Sequence, residues 1–165
     1  MQISLAARLN QAIAMRTRAE VDALLRDSRP WLYRLALAIT ARTEIAEDVV
    51  QEALVRAARS RDKLASAAEP RAWLRTVVVR CAITALAKVP AEPQADRPCD
   101  ADPTEALAVR HTLGRLNPAD QAILALAHFE ELSYAEIGQA LDIPVGTVAS
   151  RLHAAREAFR KEWRK

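Results

Sequence analysis

Glycine is scarce in this chain, with three residues in 165, and aromatic residues make up only 4%. Together with abundant alanine, leucine and arginine, that scarcity argues against sheet and for helices, so the expected fold is all-α. Cysteine is nearly absent: Cys81 and Cys99 form neither a CxxC pair nor a disulfide framework, and they read as incidental thiols of a reducing cytoplasm. The first residues, MQISLAARLNQAIAMR, lack a charged leader followed by a continuous apolar core, and no apolar run approaches membrane-spanning length. A soluble, cytoplasmic protein without membrane insertion is expected. His111, His128 and His153 are scattered without metal-ligand spacing, no glycine-rich phosphate loop is present, and no serine or cysteine lies in a nucleophile motif. No metal, no cofactor and no catalytic activity are therefore expected.

What the chain does have is apolar content, 51% of its residues, enough for one domain or two small ones with compact cores. Its formal charge of +3 and pI near 9.2 permit nucleic-acid binding without requiring it. The placement of charge decides more, and the stretch from Leu132 to Lys161 carries most of the information. Ser133 followed by Glu136 is a capping box that starts a helix. Tyr134, Ile137, Gly138 and Leu141 give that helix one apolar stripe, and Asp142-Ile143-Pro144 ends it. Pro144 is suited to open a second helix, in which Val148, Leu152, Ala155 and Phe159 are the expected buried stripe. Gly146, Ser150, His153 and Glu157 then point outward, flanked by Thr147 and Ala154 on one side and Ala149, Arg156 and Arg160 on the other. Two helices joined by a tight turn, with small polar and basic groups on the second, match a helix-turn-helix DNA reader. Periodicity alone fits an ordinary solvated helical hairpin equally well.

Upstream, Leu5, Leu9, Ala12 and Ile13 suggest an amphipathic opening helix that continues brokenly through Val21, Leu24 and Leu25, either packed on the adjoining domain or extended toward a partner. Pro30 is expected to begin a better-defined helix with the stripe Leu32, Leu35, Ala36 and Ile39. After a turn at Thr40 to Thr43, the next helix turns Val49, Val50, Ala53, Leu54 and Ala57 inward and Asp48, Gln51, Glu52 and Arg56 outward. Its acidic front suits the helix macrodipole, and on physics alone it is a solvated helix end. Ser60 to Glu69 is expected to be mobile. Pro70 then opens a helix with inward rows Trp73, Val77, Cys81 and Leu74, Val78, Ala85, and with Arg71 and Arg75 on one face. Between Val89 and Pro103 lie Pro90, Pro93 and Pro98, and the acids Glu92, Asp96, Asp100 and Asp102 outnumber Arg97, which marks an extended linker. Asp102-Pro103-Thr104-Glu105 and Asn117-Pro118-Ala119-Asp120 are two more helix starts. The expected architecture is two small helical domains, 1–88 and 104–165, joined by a Pro-rich acidic linker, 89–103, with a helix-turn-helix in the second.

The string LSYAEIGQALDIPVGTVASRLHAAREAFR closely resembles the promoter-reading C-terminal domain of bacterial sigma factors, especially the extracytoplasmic-function (ECF) group. Ala46-Glu47-Asp48-Val49-Val50-Gln51-Glu52-Ala53-Leu54-Val55-Arg56-Ala57 is similar to the segment of the sigma N-terminal domain that docks on the clamp helices of the largest RNA polymerase subunit. The resemblance runs from about Asp22 to Arg164. It implies promoter-specific transcription initiation, with core RNA polymerase, promoter DNA and an anti-sigma factor as partners. By the same likeness Asp48, Gln51, Glu52 and Arg56 are core polymerase contacts. Arg71, Arg75, Arg80 and Lys88 are downstream-promoter contacts, and the linker threads toward the RNA exit path. For the second helix of the helix-turn-helix, Thr147 and the first-turn amides suit a phosphate, while Ser150 and His153 approach base edges. Arg151 and Arg156 fit either the DNA backbone or local ion pairs. The chain also departs from the family pattern: Val79-Arg80 stands for the usual Arg-Asn, Thr84 for Asp, Ala87-Lys88 for a basic run, and Ala57-Ala58 lacks a common tryptophan. Ala149 and Ala154 replace frequent cations. These losses imply weaker or altered promoter recognition. They leave two rivals open: a sigma-like decoy that binds an anti-sigma factor without driving transcription, and a helix-turn-helix regulator independent of polymerase.

Overall fold

The computed structural model describes residues 16–89 and 103–164, and among them every regular element is an α-helix. The opening stripe Leu5, Leu9, Ala12 and Ile13, the linker from Pro90 to Asp102, and Cys99 lie outside the described residues.

The first helix, α1 (Arg18–Thr40), starts at a capping box: Glu20 N–H donates to Thr17 Oγ1 and Thr17 N–H to Glu20 Oε2. A threonine three residues before a glutamate is a readable start signal. Helix α1 passes through Pro30 instead of beginning there. Proline removes the hydrogen bond to the carbonyl of Arg26, but both residues are exposed, on the side of the helix where solvent can replace the lost donor. Val21, Leu25, Trp31, Leu32, Leu35, Ala36 and Ile39 keep one buried stripe in register on both sides of the proline, so burial holds the helix together across it. Ala41, in the left-handed region at φ 56°, ends it.

Helix α2 (Thr43–Arg59) packs on α1 with Ala46, Val49, Val50, Ala53 and Ala57 buried. The stretch expected to be mobile holds a short helix, α3 (Arg61–Ser66). Leu64 and Ala65 are buried, Arg61 pairs with Asp22 of α1, and Arg16 Nη1 donates to Ala67 O at 2.9 Å. A single leucine in a polar stretch shows no periodicity, which is why the sequence hid it. Helix α4 (Pro70–Leu86) has Pro70 at its first position. Its buried residues are Leu74, Val78, Val79, Cys81, Ala82 and Leu86, whereas Trp73, Val77 and Ala85 are half-buried. The expected inward rows are rotated because α4 is covered twice, by α1 and α2 and by the C-terminal half of the chain.

That half comprises α5 (Pro103–Gly114), α6 (Pro118–His128), α7 (Tyr134–Leu141) and α8 (Val145–Trp163). Asn117 caps α6 by accepting from Asp120 N–H at 2.9 Å. Helix α6 buries Ile123, Leu124 and Leu126 and forms the platform on which α8 lies. The two halves are packed together: α1 against α6, and α4 against α6 and α7. Their buried side chains form one cluster. Nothing in either amphipathic pattern anticipates this, because each half has a complete core stripe of its own.

Candidate nucleic-acid and polymerase interfaces

The helix-turn-helix is built by its caps. Ser133 Oγ accepts from Glu136 N–H at 3.3 Å, and Ser133 N–H donates to Glu136 Oε2 at 3.0 Å. Hydrogen bonds from the Ser133 hydroxyl and then its backbone N–H hold the Glu136 carboxyl below the usual carboxylate range. Asp142 takes the left-handed conformation, φ 57°, and its N–H returns to Gly138 O. Gly138 is required by close approach: a Cβ there would lie 2.9 Å from Ile143 O. The bend between α7 and α8 therefore depends on a backbone-to-backbone contact that only glycine leaves room for. Tyr134, expected in the buried stripe of α7, is exposed, and Ala140 is buried in its place beside Ile137 and Gly138.

Val148, Leu152 and Ala155 seat α8, with Phe159 half-buried and stacked on Trp163 at 5.7 Å between centroids. On the opposite face Ser150, Arg151, His153 and Arg156 are exposed, and Thr147 is half-exposed. The Ser150 hydroxyl donates to Thr147 O at 3.0 Å, which leaves its oxygen free to accept. Thr147 N–H itself is taken by Pro144 O at 2.8 Å, so the first-turn phosphate site has one fewer free amide than a bare helix start offers. Arg156 Nε lies 3.4 Å from His128 Nε2, and Arg160 pairs with Glu157. Arg151 has no side-chain partner among the described residues.

In the N-terminal half, Asp48, Gln51, Glu52 and Arg56 form an exposed row on α2. Glu52 accepts from Arg56 Nε at 2.6 Å, and this hydrogen bond favours the charged guanidinium. The four cations of α4 and its end are held differently. Lys88 is exposed, Arg71 stacks its guanidinium 4.6 Å above the Trp31 ring, and Arg75 Nε donates to Glu130 Oε2 at 3.3 Å. Arg80 lies 3.4 Å from Asp142 Oδ2. Thus Arg75 and Arg80 both pair with carboxylates of the C-terminal half. Sequence reasoning missed both carboxylates' role, and it missed Trp31 and Trp73 as site residues. Trp73 lines a cleft of about 340 Å³ with Arg56, Arg59, Val77 and Arg80, a ring beside three cations. That combination suits bases and phosphates of a single strand. The i, i+7 spacing of Trp73 and Arg80, with Arg56 on the neighbouring helix, was the available signal.

Comparison with known proteins agrees with this geometry. Residues 24–89 match the family model for Sigma-70 region 2, and residues 106–159 match that for Sigma-70, region 4. The chain is 34% identical over 142 residues to the ECF RNA polymerase sigma factor SigL of Mycobacterium tuberculosis, covering 78% of this chain and 80% of that one. It is 28% identical over 155 residues to SigW of Bacillus subtilis, covering 81% and 83%. Among solved structures, the sigma factor RpoE of Bartonella quintana, in complex with the anti-sigma factor NepR, superposes with a TM-score of 0.69 at 20% identity, covering 87% of this chain and 96% of that one. That likeness shows a shared all-α arrangement. On the extent of the SigL match and the two region models, the chain belongs to the ECF family of RNA polymerase sigma factors.

Proposed function

We propose that this sigma factor bridges core RNA polymerase and promoter DNA through two separate surfaces, the charged row of α2 and the outer face of α8. The observation that carries the reading is the capped helix-turn-helix, whose second helix leaves Ser150, Arg151, His153 and Arg156 exposed while Val148, Leu152 and Ala155 on its opposite face are buried. A rigid helix of that kind presents hydrogen-bonding and cationic groups together, as major-groove reading requires. Asp48, Gln51, Glu52 and Arg56 set register against the polymerase. Residues 1–88 dock the enzyme and meet the downstream element with Arg71, Arg75, Arg80 and Lys88; residues 89–103 span it; residues 104–165 read the upstream element with Thr147 and its neighbours.

The protein acts by recruitment and carries no catalytic chemistry of its own. Its place is the cytoplasm, with the polymerase; no helix among the described residues is long and apolar enough to cross a membrane. An anti-sigma factor is a further partner, by analogy with the Bartonella complex. Co-purification with core polymerase, followed by sequencing of the DNA it retains, tests the reading. A shared two-part motif is expected, and Ser150→Ala with His153→Ala should alter its upstream part alone. Failure to join core polymerase at low salt would refute the proposal.

A further inference from the structure

Helix α8 opens with apolar and small groups in its first two turns. Val145 is 52% exposed, and Gly146 and Ala149 are exposed beside it. Val145, Ala149 and His153 follow one another at i, i+4 and i+8, so they form a single row along the helix. The first two turns hold one cation, Arg151, which stands about 200° around the helix from Ala149 and so lies on the other flank. Further along, Arg156 lies against His128 and Arg160 pairs with Glu157. Val145 is also held in place. Its Cγ2 lies 3.5 Å from where a Cβ on Gly138 would stand, so one methyl sits beside the α7 backbone. A β-branched side chain has little χ1 freedom, and the exposed part of the valine is therefore presented in one orientation. Gly146 is explained by nothing inside the chain, because a Cβ there would meet no atom within 4 Å. Glycine weakens a helix, and on an open face it lets an outside group approach the backbone more closely than any side chain would allow.

We infer that Val145 and Ala149 are specificity-determining residues that recognise the C5-methyl groups of thymines in the upstream element, with Gly146 letting the DNA close on them. The chemistry follows from what each base shows in the major groove. Guanine is read best by an arginine or lysine that donates two hydrogen bonds to O6 and N7, and this flank carries no such group before Arg156. A thymine methyl is apolar, and valine and alanine meet it without stranding a donor or acceptor. Cytosine lacks that methyl, and so do the purines. His153 ends the row with a ring that can donate or accept a hydrogen bond, so the row is apolar first and polar last. Spacing sets the register: Val145 and Ala149 are about 6 Å apart along the helix axis, and base pairs rise by about 3.4 Å. The two thymines therefore lie within two steps of one another. This inference deepens the proposed function and rests on α8 as the reader of the upstream element.

The test uses holoenzyme reconstituted from the full chain and core polymerase. Upstream elements are selected from duplexes randomised in that window, and the selected duplex is remade with deoxyuridine in place of each selected thymidine, which removes one methyl and nothing else. Thymine at two positions within two steps is expected, and each uracil should weaken binding about threefold to fourfold, the factor that burial of one methyl corresponds to. Val145→Ala should weaken binding of the thymine duplex by a similar factor and make one of the two uracil changes silent, a non-additivity that a general loss of fold would not produce. Ala149→Arg should turn the base selected at its position to guanine. Gly146→Ala should melt no lower than the parent and bind every duplex more weakly; unchanged binding would overturn the close approach. The uracil comparison on the parent chain needs no variant, so it decides the matter whatever the folding of the substituted chains. Equal affinity for thymine and uracil duplexes, or guanine selected by the parent at these positions, overturns the inference and leaves α8 as the upstream reader. A holoenzyme that selects no upstream sequence overturns that reading of α8, and the inference with it.

Discussion

Replacing Asp48 and Glu52 together by alanine separates a docking surface from a merely solvated helix. The stability change follows from the structure. Glu52 loses an i, i+4 pair with Arg56 in which about half of each side chain is in solvent, and such pairs contribute about 0.3–0.5 kcal/mol. Asp48 has no side-chain partner among the described residues, and both changes raise helix propensity by a few tenths of a kcal/mol each, roughly cancelling the loss. For a chain of this length 1 kcal/mol moves Tm by about 2–4 °C, so Tm should stay within about 2 °C of the parent. Binding should respond far more. Two charges removed from an interface at about 1 kcal/mol or more each predict at least a tenfold weaker complex with core polymerase, read by anisotropy of a labelled sigma factor. Thermal melting of the same preparations completes the comparison. Unchanged polymerase affinity would refute the docking role of α2, and a weaker complex accompanied by a large drop in Tm would assign these residues to the fold.

Leu152→Ala, at a residue 1% exposed under the reading face, should cost about 3–5 kcal/mol by leaving a cavity, and chemical denaturation checks it. Gly138→Val should destabilise by about 1–3 kcal/mol or shift α8 relative to α7, because a Cβ 2.9 Å from Ile143 O forces the turn open; an unchanged melt and unchanged upstream DNA binding would contradict this. The carboxyls of Glu20 and Glu136 are held below their ordinary value of 4.5 by capping bonds, Glu20 chiefly by the Thr17 backbone and Glu136 chiefly by the Ser133 hydroxyl. Their contribution is complete above that value and is lost as pH falls through the lowered one, so hydrogen exchange at the starts of α1 and α7 should accelerate in acid and not in base.

The starts of α6 and α7 were legible because their signals are local: Asn117 before Pro118, and Ser133 before Glu136, name their own hydrogen-bond partners. The stripe of α8 was legible for the same reason, since Val148, Leu152 and Ala155 meet one neighbouring surface. The interior Pro30 was misread because its cost depends on whether the carbonyl one turn back reaches water, a property of the folded surface. Leu64 was hidden by its polar neighbours. Val79 read as a departure from a DNA-contacting pattern, whereas it is fully buried on a helix covered from two sides. Glu130 was invisible altogether: a glutamate in a turn has no period, and its partners Trp31 and Arg75 are 99 and 55 residues away.

Run-off transcription with core polymerase and the DNA recovered in its complex tests the central claim most directly. A transcript from a fixed start that needs both this chain and the two-part motif is the predicted result. A stable complex with polymerase that yields no specific transcript would contradict it and leave the chain a decoy.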